Sequence, residues 1–353
     1  MPPDKFSIDF SNPDEVKACF QPLADGLEWE GHFLFLKMES LEGQTQKKPS
    51  QPLTTVFPYP KGRLKVAGAD AAAFLQGIIS GQAINQKVGE TKQNLICFPN
   101  GHIAFDLFIE RTKKEEFWMY TEPGEEKKVL DFLNFYHVLE EITITLEPKV
   151  YLPFLLSEQG FSLEGKPYFF SSSNNIFLLK ETQIQHWQKD LTDAIWVGIQ
   201  DFDFLRPIFS WPRSGIDFDA SSYPMEAGLN HCVDYLKGCF IGQEPIARMY
   251  HKGMPTKVLC KIISQNPLAE KTFCELDGEK VGMISSASPL ERPDGYFSLA
   301  MVKTRILESP LDKIRVHWAG QKILIQLVEP LPTNKKKAVL AEQNEILAKS
   351  LAP

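Results

Sequence analysis

The sequence predicts an α+β protein: two units of mixed strands and helices, followed by an all-β unit. Three observations predict it. Between residues 56 and 150, alternating runs such as GRLKV and ITITL stand among helical stretches such as DAAAFLQGII and GEEKKVLDFLNFYHV. Asn100-Gly101 lies between two apolar runs, a hairpin signal that demands antiparallel pairing. Beyond residue 255 the chain turns to short strands, divided by Gly, Pro and Asp at nearly regular intervals.

Taken in order, residues 1–55 are an N-terminal segment and linker, since LEGQTQKKPSQPLTT at 41–55 is polar and poor in large apolar groups. GRLKV then alternates as a strand, and DAAAFLQGII continues as a helix capped by Asp70. NLICF and HIAFDLFIE are the arms of the hairpin. EFWMY is a further strand, GEEKKVLDFLNFYHV an amphipathic helix, and ITITL closes a first α+β unit at 56–150. A second unit at 151–255 repeats the style, with YLPFLLS, YFF and NIFLLK as strands and a helix near QIQHWQKDL. It ends in a turn or short helix around PMEAGLNHCVDYL and a helix through EPIARMYH; either unit can be discontinuous in sequence. VLCKII, TFCELDG, EKVGMISSAS, YFSLAMVK, KIRVHWAG and QKILIQLVEP supply a β-barrel at 256–333, and 334–353 form a solvated helix and tail.

At 353 residues the chain has room for two or three cores. Its net charge of −7 gives no general polyanion-binding surface, so no direct nucleic-acid partner is expected. No uncharged apolar run reaches the ~18 residues of a membrane span. The start, MPPDKFSIDFSNPDEVKACF, is acidic and lacks an apolar segment, unlike a secretory signal or transit peptide. Six scattered cysteines, with no CxxC and no zinc-like Cys/His spacing, read as reduced thiols in a cytoplasmic protein without a metal site.

One short stretch stands apart: KGCFIGQE, Lys237 to Glu244. It precedes the expected helix through EPIARMYH, where unpaired backbone N–H groups carry partial positive charge. A thiol there, with Lys237 two residues away, is expected to favour thiolate. Gly238 and Gly242 permit unusual φ and close approach of a ligand. Gln243 and Glu244 offer paired donors and acceptors to a heterocycle. The residues alone also fit a packed cysteine in a Gly-flanked turn, with Glu244 as a plain helix-start carboxylate. No GxSxG, HExxH or P-loop is present.

The octapeptide resembles the K-G-C-[FY]-x-G-Q-E signature of the YgfZ family, folate-binding proteins linked to iron–sulfur clusters and related to the glycine cleavage T-protein, an aminomethyltransferase. The likeness continues in Ile246-Ala247-Arg248 with Lys252-Gly253, in Pro212-Arg213-Ser214-Gly215-Ile216-Asp217 and in Pro224-Met225-Glu226. It also includes Gly68-Ala69-Asp70-Ala71, Phe74-Leu75-Gln76-Gly77, Val281-Gly282-Met283-Ile284-Ser285-Ser286 and Leu299-Ala300. It spans roughly residues 60–330. Two departures separate the chain from the transferase: Ile208 stands where that enzyme has a pterin-anchoring glutamate, and Phe105-Asp106 replaces its paired aspartates.

The resemblance implies a T-protein-like three-domain ring, two mixed α+β domains plus a C-terminal β-barrel, around a channel for tetrahydrofolate or a one-carbon derivative. It implies an accessory factor for assembly or repair of [4Fe–4S] clusters, including those of tRNA-modifying enzymes. Its partners would be iron–sulfur client or assembly proteins, and its oligomeric state is left open. Cys239 would be the working thiol, tuned by Lys237 and the helix end, with Gln243, Glu244 and Arg248 around it. Asp106 would line the folate channel, or simply face outward from its strand. Arg213 would pair with a glutamate tail, or form an ion pair with Asp217 or Asp219; Arg248 can instead pair with Glu244 one helical turn away. His231 and His251 read as surface histidines. The rival readings are a true aminomethyltransferase and a folate-binding module without thiol chemistry.

Overall fold

The computed structural model describes residues 27–30, 33–36, 54–157, 170–171, 176–178, 195–196, 199–252, 254–308, 314–316 and 323–328. Most of the N-terminal segment, Cys19, the helix expected near QIQHWQKDL and the 334–353 tail lie outside them. Strands β1 (Leu27–Glu30) and β2 (Phe33–Leu36) pair as an antiparallel hairpin.

The first large sheet is organised around the 14-residue strand β3 (Thr54–Ala67). With β4 (Thr91–Cys97), β5 (Ile103–Lys113), β6 (Glu116–Thr121), β7 (Thr143–Ser157), β8 (Phe170–Ser171) and β9 (Ile176–Leu178), the order is β4-β5-β6-β3-β7-β9-β8. β3 pairs antiparallel with β6 and β7, and β10 (Ile195–Trp196) adds a short parallel pairing to it. Pro99-Asn100-Gly101 makes the expected turn between β4 and β5, with Gly101 at φ 84°. β7 runs through position 150, so the boundary read between 150 and 151 falls inside one strand.

Strand alternation gives this sheet two unlike faces. On one, Leu64 lies opposite Met119 and Leu146, and Val66 opposite Phe117 and Ile144. Helix α1 (Ala71–Ile78) packs on β6, and α2 (Glu126–Tyr136) packs on β3 and β7. α1 buries Phe74 and Leu75, and α2 buries Val129 and Leu133, each contributing about 1.5–3 kcal/mol. Asp70 does not cap α1 with its side chain. Its Oδ2 accepts the Glu141 backbone N–H at 2.8 Å, while the Ala71 N–H bonds to the Gly68 carbonyl oxygen at 3.1 Å.

Helix α3 (Ile199–Phe209) leads through turns and a short 3-10 segment, Asn230–Cys232, to α4 (Gln243–Lys252). All six strands expected after residue 255 form: β11 (Lys257–Ser264), β12 (Phe273–Leu276), β13 (Glu279–Arg292), β14 (Gly295–Lys303), β15 (Ile314–Val316) and β16 (Ile323–Leu327). They make one antiparallel sheet in the order β15-β12-β13-β14-β11-β16. Register shifts in β13, between Ile284/Ser286 and Ala287/Glu291, bend the ladder. Among the described residues β15 pairs with β12 and β16 with β11, so an open six-stranded path is seen.

The chain divides into two compact, discontinuous units: Met1–Ile78, Gln82–Asn94, Phe105–Leu205, and Ile79–Gly81, Leu95–Ala104, Arg206–Pro353. Residues 206–252 fall with the six-stranded sheet because Met225, Met249 and Tyr250 pack into its core of Val258, Cys260, Ile262, Ile284, Ala300 and Val302. Among the described residues no helix is long and apolar enough to cross a membrane.

Candidate functional site

In the first unit, the sheet face opposite Leu64 and Val66 is polar. Tyr59, Lys61, Arg63 and Lys65 alternate along it on β3. The pairings Arg63 to Tyr120, Phe108 to Tyr120 and Glu110 to Trp118 set the rows across β6 and β5. One step further along the same alternation come Glu122 and Asp106. Asp106 therefore sits in a cross-strand row with Lys61 and Glu122, extended on β4 by Gln93. The Gln93 amide donates to both Asp106 oxygens, at 2.9 and 3.1 Å.

This row is built firmly. Glu122 accepts from the Lys61 ammonium at 2.5 Å and from the Tyr59 hydroxyl at 2.6 Å. The Lys61 ammonium is buried among rings, 4.8 Å from the Tyr59 centroid and 5.3 Å from that of Phe108. A desolvated ammonium is tolerable there because a carboxylate and π-faces replace its water. Burial raises the pKa of Glu125, and the charges of Glu122 and Asp106 push it the same way. Tyr120 donates to Glu110 at 2.9 Å, and its phenol is held protonated by burial and by that carboxylate. The result is a half-open strip of carboxylate and amide groups beside aromatic rings, chemistry that suits a flat heterocycle with polar edges.

The octapeptide belongs to the second unit, where it wraps the Ile79–Gly81 segment. Ser80 Oγ donates to the Cys232 carbonyl oxygen at 2.6 Å, and the Asp234 N–H donates to the Ser80 carbonyl oxygen at 3.0 Å. The Lys237 ammonium donates to the carbonyl oxygens of Ile79 and Gly81, at 2.6 and 2.5 Å, and lies 4.9 Å from the Phe240 ring centroid. Burial pushes its pKa down to about 8. Phe240 is buried with Leu95, Cys97, Ile103, Leu229 and Ile246. Tyr235 stacks on Tyr250 of α4 at 3.9 Å between centroids.

Gly242 is the tight point of the loop. Its φ is 81°, and a Cβ there would lie 2.5 Å from the Phe98 carbonyl oxygen and 3.1 Å from Cys97 Cβ. The motif is thereby pressed onto the turn between β4 and β5. Gly238, by contrast, is exposed with nothing within 4 Å of a Cβ position. Cys239 is exposed, whereas Cys97, Cys232, Cys260 and Cys274 are buried. The two features expected to tune Cys239 are arranged otherwise: Lys237 is turned into backbone carbonyls, and α4 begins four positions later, at Gln243. A helix-end field fades within a turn.

The remaining expected residues are placed as follows. The Gln243 amide reaches the Lys237 carbonyl oxygen at 3.5 Å. Arg248 donates to Glu244 Oε1 at 2.6 Å on the exposed side of α4. Arg213 donates its backbone N–H to Asp217 Oδ2 at 3.0 Å, and Arg206 forms a buried ion pair with the same oxygen at 2.5 Å. Ser285 and Ser286 hydroxyls donate to Asp217 Oδ1 at 2.6 and 2.7 Å, and Arg206 also donates to Ser286. Ile208 is buried, and its carbonyl oxygen accepts from Lys261 at 2.5 Å. Lys61, Glu122, Glu125 and Arg206 were not singled out from sequence. The signal available for Lys61 is a cation at every second position, 61, 63 and 65, with glycine or an apolar residue at 62, 64 and 66.

Residues 60–148 match the GCVT N-terminal domain, and this span contains the whole polar row. An aminomethyltransferase of Alkaliphilus oremlandii is 21% identical over 294 residues, covering 71% of this chain and 79% of that protein. An uncharacterized protein of Haemophilus influenzae is 25% identical over 258 residues, covering 70% of this chain and 87% of that one. The crystal structure of glycine cleavage system aminomethyltransferase T from Bartonella henselae matches with a TM-score of 0.64 at 16% identity, over 90% of this chain and 96% of that one. The chain thus carries a GCVT N-terminal domain, is distantly homologous to aminomethyltransferases and shares the fold of aminomethyltransferase T.

Proposed function

We propose that this protein is a folate-binding factor of the YgfZ kind that assists assembly or repair of [4Fe–4S] clusters in client enzymes, tRNA-modifying enzymes among them. The observation that carries the reading is how the octapeptide is used. Lys237, Phe240 and Gly242 build and anchor the loop, while the Cys239 thiol is left exposed. A purely packed cysteine would be buried as Cys97 and Cys260 are. Cys239 is the working thiol in this reading, and Lys237 positions its loop. Glu244 and Arg248, exposed on α4, and Gln243 at its start frame the surface that meets an iron–sulfur client or assembly protein.

The polar row fits tetrahydrofolate or a one-carbon derivative. Asp106, Gln93 and Glu122 would meet the pterin edge. When bound, the reduced folate supplies a carrier for one-carbon units. The reading includes the finer fold expectation, a T-protein-like three-domain ring with a C-terminal barrel, and a cytoplasmic location. The second reading, an aminomethyltransferase, is favoured by the names of the relatives and opposed by buried Ile208, whose side chain has no polar atom for a pterin.

Calorimetry with tetrahydrofolate tests the proposal. Wild type and Cys239→Ala should bind it alike, and saturation at one hundred times the dissociation constant should stabilise the fold by about 2.7 kcal/mol. Absence of heat and of any thermal shift with every reduced folate would sink the reading.

A further inference from the structure

Three cations share one face of β3 at every second position, about 7 Å apart. Two have carboxylate partners: Lys61 with Glu122, and Lys65 with Glu147 at 3.3 Å. Arg63, between them, makes no hydrogen bond or ion pair among the described residues. Its guanidinium carbon lies 4.0 Å from the Trp118 ring centroid, and its Nε is buried without a hydrogen-bond partner. Glu147, its cross-strand neighbour on β7, acts on it through charge but does not close an ion pair with it. Glu147 Oε1 takes Lys65 and the Thr145 hydroxyl, and Glu110 takes the Tyr120 hydroxyl.

A half-buried guanidinium without an acceptor bears a desolvation cost that a ligand oxygen pair removes. Stacking on Trp118 fixes the fork in one plane, which matches a carboxylate better than a spherical ion. Asp106 lies two strands and one alternate position away, roughly 12 Å by strand spacing. A p-aminobenzoyl arm spans such a distance.

We infer that Arg63, stacked on Trp118, is the subsite for the glutamyl carboxylate of the bound folate. The inference rests on the folate reading above and replaces Arg213 as the tail contact.

The test compares tetrahydrofolate with tetrahydropteroate, which lacks the glutamate, by calorimetry on the full chain. Wild type should bind tetrahydrofolate roughly ten- to hundredfold more tightly. The ratio should fall to about one in Arg63→Gln, fall partly in Arg63→Lys, which keeps charge but not the fork, and stay unchanged in Arg213→Gln. It is taken within each variant, so loss of folded protein cannot imitate the result. Equal wild-type affinity for the two ligands, or a ratio that survives both Arg63 changes, overturns the inference and leaves the folate reading standing. Binding of neither ligand overturns the folate reading, and the inference with it.

Discussion

The ammonium of Lys237 donates to the Ile79 carbonyl oxygen at 2.6 Å, tying the octapeptide to a segment 158 residues earlier. A second bond, to the Gly81 carbonyl oxygen at 2.5 Å, fixes the same ammonium from the other side of Ser80. Lys237→Met should therefore loosen the loop and cost about 1–3 kcal/mol in denaturant unfolding. The pH dependence carries a second mark. The folded pKa, about 8, lies below the ordinary lysine value of 10.5, so the unfolded chain binds the extra proton between them. Stability from this group rises with pH across that window, and the variant should lack this part of the slope. An unchanged midpoint with an unchanged slope would show that the anchor is idle.

Gly242→Ala tests whether the motif loop is pressed on the hairpin turn. A methyl group 2.5 Å from the Phe98 carbonyl oxygen cannot fit, and φ of 81° is strained for alanine. A loss of roughly 1–3 kcal/mol is expected from backbone strain alone. Gly238→Ala, with open space around it, should cost much less. Equal losses at the two positions would contradict the geometry.

Limited alkylation near neutral pH, followed by peptide mapping, should modify Cys239 before Cys97, Cys232, Cys260 or Cys274. Burial removes access to the latter four, and it pushes Cys97 and Cys274 up to about 12. First labelling of Cys97 or Cys260 would mark the motif thiol as structural.

Glu125 is the strained member of the acidic strip. Its pKa is raised by burial and by Glu122, so the folded protein binds this proton more readily than the unfolded chain. Stability from this group accordingly grows as pH falls through the raised value. Glu125→Gln should stabilise the protein at pH 7, and the gain should vanish near pH 4, where the acid is already neutral. Thermal melts of the two proteins at both pH values decide; destabilisation at pH 7 would mean that the carboxylate is compensated.

The strands were legible because their signal is local: alternation in GRLKV and ITITL, Asn100-Gly101 between apolar arms, and turn residues dividing the six late strands. The helices α2 and α4 were legible from amphipathic spacing. What escaped depends on partners far apart in sequence. Asp70 reads as a cap, yet a loop N–H at Glu141 claims its carboxylate. Asp217 has Arg213 near it in sequence, and Arg206 also reaches it, from the end of α3. Lys237 stands beside Cys239 in sequence, while its side chain is drawn off by carbonyl groups at 79 and 81. The strip of Lys61, Glu122, Asp106 and Gln93 exists only once β3, β6, β5 and β4 are in register. Asp106 could be suspected as a carboxylate out of pattern, and its companions could not.

The most direct measurement of the central claim is complementation. In cells lacking this protein, the activity of a [4Fe–4S] enzyme is assayed after expression of wild type or Cys239→Ala at matched abundance. Cys239 is exposed, so its truncation should cost the fold little, within the ~0.5 kcal/mol usual for surface changes. The account predicts that wild type restores the enzyme and Cys239→Ala does not. Full restoration by Cys239→Ala, together with folate-dependent aminomethyl transfer by the purified variant, would contradict it.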